Sequence, residues 1–181
     1  MEQVSKTNKI NLLYSLFLVA CTVCLLAITA PSQQVYAQSD TIVNFTLEDL
    51  DGNRHSLQQY LDKGPVYISF FAMWCQPCLH KLRTLRPIWD AYREAGFTLL
   101  VINTDTPNSL SRVESYWRSQ RYDMPLLLDP SAQVFERLNG RSLPYALMVA
   151  QDGTIVQVDS GFLPGDERKI EDLVQQLIAA E

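Results

Sequence analysis

Val66-Tyr67-Ile68-Ser69-Phe70-Phe71 is a continuous, β-rich apolar run, and it leads almost directly into Trp74-Cys75-Gln76-Pro77-Cys78. A run of this kind suits a central strand buried on both faces, which needs helices above and below it. Beyond the cysteines, Leu79, Leu82, Leu85, Ile88, Trp89 and Tyr92 recur at helical spacing, and Gly96 is placed to end that helix. The order strand, cysteine pair, helix therefore dictates an α/β architecture before anything else in the chain is read.

The rest of the pattern extends it. Asp51-Gly52 between Phe45–Leu50 and Asn53–Leu57 marks a hairpin. Residues 38–44 read as a tether, Ser56 as the cap of a short helix through Leu61, and Lys63-Gly64-Pro65 as a break. Phe97–Ile102 is a second buried strand. A helix is expected over Ser109–Gln120 with Ser109 as its cap, a strand over Met124–Leu128, and a helix over Ser131–Leu138 closed by Asn139-Gly140. Pro144 precedes a strand over Tyr145–Ala150, which Gln151-Asp152-Gly153 turns back into Thr154–Asp159. Glu167–Ala180 closes the chain as an amphipathic helix with Ile170, Leu173, Val174, Leu177 and Ile178 inward. Strands alternating with helices and then a terminal hairpin give an α/β sandwich with a mixed sheet.

The N-terminus has a different character. Residues 1–11 are polar and carry Lys6 and Lys9, Leu12–Ala30 is mostly apolar, and Val35-Tyr36-Ala37 offers small residues before Gln38. That order predicts a signal peptide over residues 1–37 and a single folded domain over 38–181. The apolar run is also long enough for a signal anchor. A lipoprotein signal at Leu18-Val19-Ala20-Cys21 is the weakest reading, because the run continues past Cys21. Export takes the chain into an oxidising compartment. Cys21 and Cys24 then belong to the leader as small hydrophobes, leaving Cys75 and Cys78 as the thiols of the mature protein. So close a pair restricts the unfolded chain little, so reactivity explains it better than stapling does. With 15 basic and 20 acidic residues and a net charge of −5, no basic stripe is available for a nucleic acid.

A cysteine at the start of a helix meets free N–H groups and the positive end of the helix dipole. Thiols so placed have pKa values of ~3.5–7.5 instead of ~8.5. Cys75 is the expected nucleophile and Cys78, one turn on, the expected resolving thiol. Gln76 and Pro77 lie between them, with Pro77 in the first turn where a missing N–H is harmless. Trp74 is placed to shield one side of the sulfur. His80, Lys81, Arg83 and Arg86 add charge along the same helix. Lys81 is the candidate for thiolate stabilisation, and Arg83 and Arg86 suit a solvated face. The same cysteines are soft metal ligands, with His55 or His80 as assistants. A closed zinc site would need all four to converge, yet His80 and Cys78 face apart on one helix. No cofactor or metal is expected.

Asn44–Gly52, Gly64–Cys78, Leu126–Pro130, Ser142-Leu143-Pro144 and Gln151–Val156, in this order, resemble the TlpA/ResA branch of the thioredoxin superfamily over residues 44–180. The resemblance implies a thioredoxin-like three-layer sandwich, with a mixed central sheet, an N-terminal β-hairpin and a central helix–strand insertion over Ser109–Leu128. It implies a redox-active Cys75–Cys78 disulfide and a cis Leu143–Pro144 bond beside it. It also implies a periplasmic thiol–disulfide oxidoreductase, or one anchored to the inner membrane facing the periplasm. Such a protein reduces exported protein thiols and disulfides, for instance in cytochrome c maturation, and draws electrons from a membrane-embedded donor. A monomer is expected. The chain departs from the family where relatives often carry Glu and here Lys81 stands, where they carry Pro and here Arg83 stands, and where Trp is common and here Phe71 stands. Ser69 replaces the buried Asp of thioredoxin, so no carboxylate base is recognisable beside the pair. The family's copper carriers use a wider cysteine spacing and a late histidine, whereas no histidine follows His80 here. Thiol peroxidases share the fold, but their cysteine follows Pro and Thr, unlike Met73-Trp74-Cys75.

Overall fold

A computed structural model describes residues 41–180. The chain divides into two units, Met1–Ala37 and Gln38–Glu181. The signal-peptide, anchor and lipobox readings, with Cys21 and Cys24, lie outside the described residues. Among the described residues, no helix is long and apolar enough to cross a membrane.

Seven strands form one sheet: β1 (Thr46–Glu48), β2 (Arg54–Ser56), β3 (Val66–Phe71), β4 (Thr98–Asn103), β5 (Leu126–Leu128), β6 (Tyr145–Val149) and β7 (Ile155–Ser160). Their order across the sheet is β2-β1-β5-β4-β3-β6-β7. β3 pairs parallel with β4 and antiparallel with β6, so the sheet is mixed. β5, from the insertion, pairs parallel with β4 and antiparallel with β1, joining the N-terminal hairpin to the central strands. The helices are α1 (Gln58–Leu61), α2 (Gln76–Tyr92), α3 (Leu110–Gln120), α4 (Gln133–Arg137) and α5 (Asp166–Ala179).

The alternation of β3 explains the layering. Tyr67 and Phe71 face a core built with α2, α3 and α5, including Leu82, Trp117 and Val174. Val66, Ile68 and Phe70 face a second core with α1 and α4, including Leu57, Tyr60 and Val134. Every residue of β3 is buried, as expected for a strand covered on both sides. This is the three-layer thioredoxin-like sandwich. Cys75 and Cys78 belong to the first of the two cores.

Several local expectations need correction. Residues from Thr41 onward are attached rather than tethered: Thr41 bridges Thr154, and buried Ile42 donates its N–H to the Gly153 carbonyl at 2.9 Å. Ser56 ends β2 instead of capping α1; Asn44 Oδ1 accepts from the Gln58 N–H at 3.2 Å in its place. Ser109 occupies the N-cap position of α3, but its side chain makes no capping bond, because a 3₁₀ turn at Pro107–Ser109 already leads in. Gly96 does close the α2 region, after a 3₁₀ turn at Arg93–Ala95, with φ 96°.

Candidate active site

The Phe71–Cys75 segment carries the chain from the end of β3 to the start of α2. Cys75 is the N-cap residue of α2, and its Sγ accepts the Cys78 N–H at 3.3 Å. The sulfur thus takes the place of a capping oxygen at a helix end whose N–H groups have no other partner. Cys75 and Cys78 are joined as a disulfide, with Cα atoms 5.3 Å apart. Cys75 is only 4 % exposed and Cys78 1 %. In the disulfide form the pair is thus part of the buried core. Trp74, read as a shield, is itself 71 % exposed and stands at the surface next to the pair. Gln76 and Pro77 are also exposed.

The loop is held from below by residues that the sequence reading did not single out. Asp105 Oδ2 accepts the Met73 N–H at 2.7 Å and an Asn103 Nδ2 hydrogen at 2.8 Å. The Thr104 N–H donates to the Phe71 carbonyl at 3.0 Å. Asn103 and Asp105 are both buried. The signal was present: Asn103-Thr104-Asp105 is a polar cluster at the end of a buried strand parallel to β3, the end at which the cysteines emerge.

The Leu143–Pro144 peptide is cis. Phe70 pairs with Tyr145, so one step further along the antiparallel register Pro144 stands opposite Phe71, at the end of β3 that leads to Cys75. Pro144 is buried, and its carbonyl accepts the Gly161 N–H at 2.8 Å. That bond brings the Gly161–Gly165 loop to the same end of the sheet.

Lys81 is not on a charged helix face. It is 1 % exposed, and its Nζ has no hydrogen-bond partner among the described residues. The Nζ lies 5.0 Å from the centroid of the Tyr67 ring and 5.7 Å from that of Phe162. Burial pulls its pKa down to about 8, against the opposing pull of the Asp159 and Asp166 carboxylates. Asp159 accepts from the Tyr67 hydroxyl at 2.6 Å. Burial, and then the negative charge of Asp159, push the Tyr67 hydroxyl well above its ordinary pKa. Ser69 is buried opposite Ala146 and brings no carboxylate.

The other helix cations separate. Arg83 is exposed. Arg86 is more than a solvated residue: it donates to the Gln120 carbonyl at 3.0 Å, pairs with Asp90 and covers the Tyr122 ring, tying α2 to α3. His80 packs edge-on against Phe162. His55 lies at Asp49 in the hairpin, 2.9 Å from its carboxylate. The two histidines and the cysteines are therefore not brought together. Among the described residues, no group of three or more His, Cys, Asp or Glu side chains is arranged to hold a metal ion.

The AhpC/TSA family model matches residues 39–158. The thiol-disulfide oxidoreductase ResA of Geobacillus kaustophilus is 29% identical over 139 residues, 76% of this chain and 78% of that protein. ResA of Bacillus subtilis is 27% identical over 135 residues, 75% of this chain and 73% of its own. Among solved structures, a thiol:disulfide interchange protein of the thioredoxin family from Chlorobium tepidum superposes with a TM-score of 0.67 at 20% identity, covering 78% of this chain and 98% of that one. The exposed lipoprotein thioredoxin of Streptococcus pneumoniae superposes with a TM-score of 0.60 at 25% identity, covering 75% of this chain and 100% of that one. The chain belongs to the AhpC/TSA family and, within the thioredoxin superfamily, is a thiol–disulfide oxidoreductase similar to ResA.

Proposed function

We propose that the protein exchanges disulfides with exported proteins through Cys75 and Cys78, acting as a reductant that is itself recharged by a membrane-embedded donor. The observation that carries this reading is the Cys75–Cys78 disulfide at the N-terminus of α2, with Cys75 as the capping residue. In the reduced form the Cys75 thiolate attacks a substrate disulfide. A mixed disulfide forms and one substrate cysteine leaves as thiolate. Cys78 then attacks Cys75 Sγ, the internal disulfide closes, and the second substrate thiolate departs. Two electrons pass from the pair to the substrate. The helix terminus favours negative charge on Cys75, whereas Cys78 sits a turn deeper in apolar surroundings that favour its neutral thiol. Trp74, exposed next to Cys75, and Pro144, at the end of β3 that leads to Cys75, would meet the substrate chain. The leader composition supports export, and the reducing direction, with apocytochrome c as a substrate class, is what the resemblance to the TlpA/ResA branch implies.

The division of labour is tested by trapping. Cys78→Ser should accumulate stable mixed disulfides on non-reducing electrophoresis, and Cys75→Ser should accumulate none. Trapping by Cys75→Ser alone would reverse the roles. Thiol peroxidases share the fold and offer a second chemistry, but their expected sequence context is missing at Met73-Trp74-Cys75; consumption of hydrogen peroxide faster than disulfide exchange would favour it.

A further inference from the structure

A buried ammonium group without a partner is costly to a fold and calls for an explanation. Lys81 follows Cys78 by one turn on the inward face of α2, where Cβ atoms three residues apart lie roughly 5–6 Å from each other. Side chains on a helix lean back towards the preceding turn, which here is the turn of Cys78. Around the Nζ stand Tyr67 from β3, Asp159 from β7, Phe162 from the Gly161–Gly165 loop, and Asp166 from the start of α5; His80 packs edge-on against Phe162. Asp159 already accepts from Tyr67 and Gln157, and Asp166 from Lys169, so neither carboxylate is committed to Lys81.

We propose that Lys81 is a positioning residue of the redox centre, an enclosed cation whose missing partner is the negative charge that appears on the cysteine sulfurs when the disulfide is reduced. The inference rests on the oxidoreductase reading of Cys75 and Cys78. Two glutathione thiols supply the two electrons: the Cys75–Cys78 bond breaks and one glutathione disulfide forms. One of the two glutathione protons stays on the pair. The other goes to solvent while Lys81 is an ammonium ion, since the charge left on sulfur is matched by Lys81. Where Lys81 is already neutral, that second proton goes to its Nζ instead. The cation therefore stabilises the reduced form and makes the couple more oxidising. By reciprocity, reduction raises the affinity of Lys81 for its proton.

That coupling has a distinctive signature. Ionisation of a cysteine thiol can only flatten the pH dependence of a reduction potential as pH rises. A group that binds its proton more tightly in the reduced form steepens it. For the full-length wild type equilibrated with reduced and oxidised glutathione between pH 6 and pH 9.5, the dependence should steepen above about pH 8, where Lys81 begins to lose its proton in the disulfide form. The extra proton per electron pair is worth a tenfold change in the equilibrium constant per pH unit, about 30 mV. Lys81→Met, which fills the same space without charge, should lack the steepening and be roughly tenfold less oxidising at pH 7, one pKa unit on one thiol. Asp159→Asn keeps an acceptor for Tyr67 but removes the charge that supports Lys81, so steepening should begin at lower pH. A wild-type profile that never steepens overturns the inference, whether or not Lys81→Met folds. So does an equilibrium constant unchanged in Lys81→Met. If the wild-type pair does not equilibrate with glutathione at all, the oxidoreductase reading itself fails and takes the inference with it.

Discussion

Two buried polar side chains set the character of the site, and they act in opposite ways. Asp105 is fully employed, holding the Met73 N–H and the Asn103 amide under the cysteine loop. Asp105→Ala leaves those donors buried and unsatisfied, which should destabilise the protein by about 1–3 kcal/mol in urea unfolding and slow disulfide exchange. Unchanged stability would remove the loop-holding role. Lys81 is unemployed in the disulfide form, so Lys81→Met should instead stabilise it. The sign follows from linkage. The folded pKa of about 8 lies below the unfolded value of ~10.4, so the unfolded state binds more protons between them and stability rises with pH across that window. The gain from Lys81→Met, on the order of 1–3 kcal/mol at pH 7, should therefore shrink between pH 8 and pH 10.4. A pH-independent gain would mean that packing, not charge, is responsible. The role of Asp105 was not read from the sequence; Lys81 was singled out there for thiolate stabilisation, but its burial was not legible. Lys81 follows Cys78 among other cations, and only the packing of Phe162 and Tyr67 over it shows that it points inward.

The elements were more legible than their ends. β3, α2 and the final helix follow from apolar periodicity, because burial on a known face is written into residue type. The cap of α1 was misassigned, because Asn44 does that work from outside the helix, and Ser109 stands at the N-cap of α3 without a capping bond because the 3₁₀ turn at Pro107–Ser109 leads in. The N-terminal hairpin illustrates the same limit. Asp51-Gly52 announces the turn, but Asp49 holds it, accepting from the backbone of Asp51 and Asn53 and from the side chains of Asn53 and His55. Burial acts upward on the Asp49 carboxyl, but the bonds to His55 and Asn53 together outweigh it and hold the carboxyl well below the usual carboxylate range. Its stabilisation is complete above the unfolded value of ~3.9 and is lost as pH falls below that towards the lower folded pKa. Asp49→Asn should flatten the acid limb of the stability curve below about pH 4 and leave active-site exchange at pH 7 unchanged. An identical acid limb in the variant would show that the hairpin bonds contribute nothing. Gly96 closes the α2 region where a Cβ would fall 2.3 Å from the Lys63 carbonyl oxygen, with φ 96°. Gly96→Ala should consequently lower stability by at least about 1–3 kcal/mol. A neutral effect would mean that this crossing of two chain segments is loose.

At the scale of the molecule, the sheet order brings three separate stretches to one end of β3. The cysteine loop leaves β3, the polar cluster leaves β4, and the cis Pro144 enters β6. The CxxC pair and Pro144 were recognisable from the order of motifs along the chain. The cluster at Asn103–Asp105 was not, because its relevance depends on β4 lying parallel to β3. The central claim is that this end of the sheet is a working two-thiol redox centre. The most direct measurement is the rate at which the pre-reduced protein reduces insulin disulfides, compared with Cys75→Ser and Cys78→Ser. Rapid reduction by the wild type, with turnover abolished in both variants, is the predicted result; full activity in Cys75→Ser would contradict it.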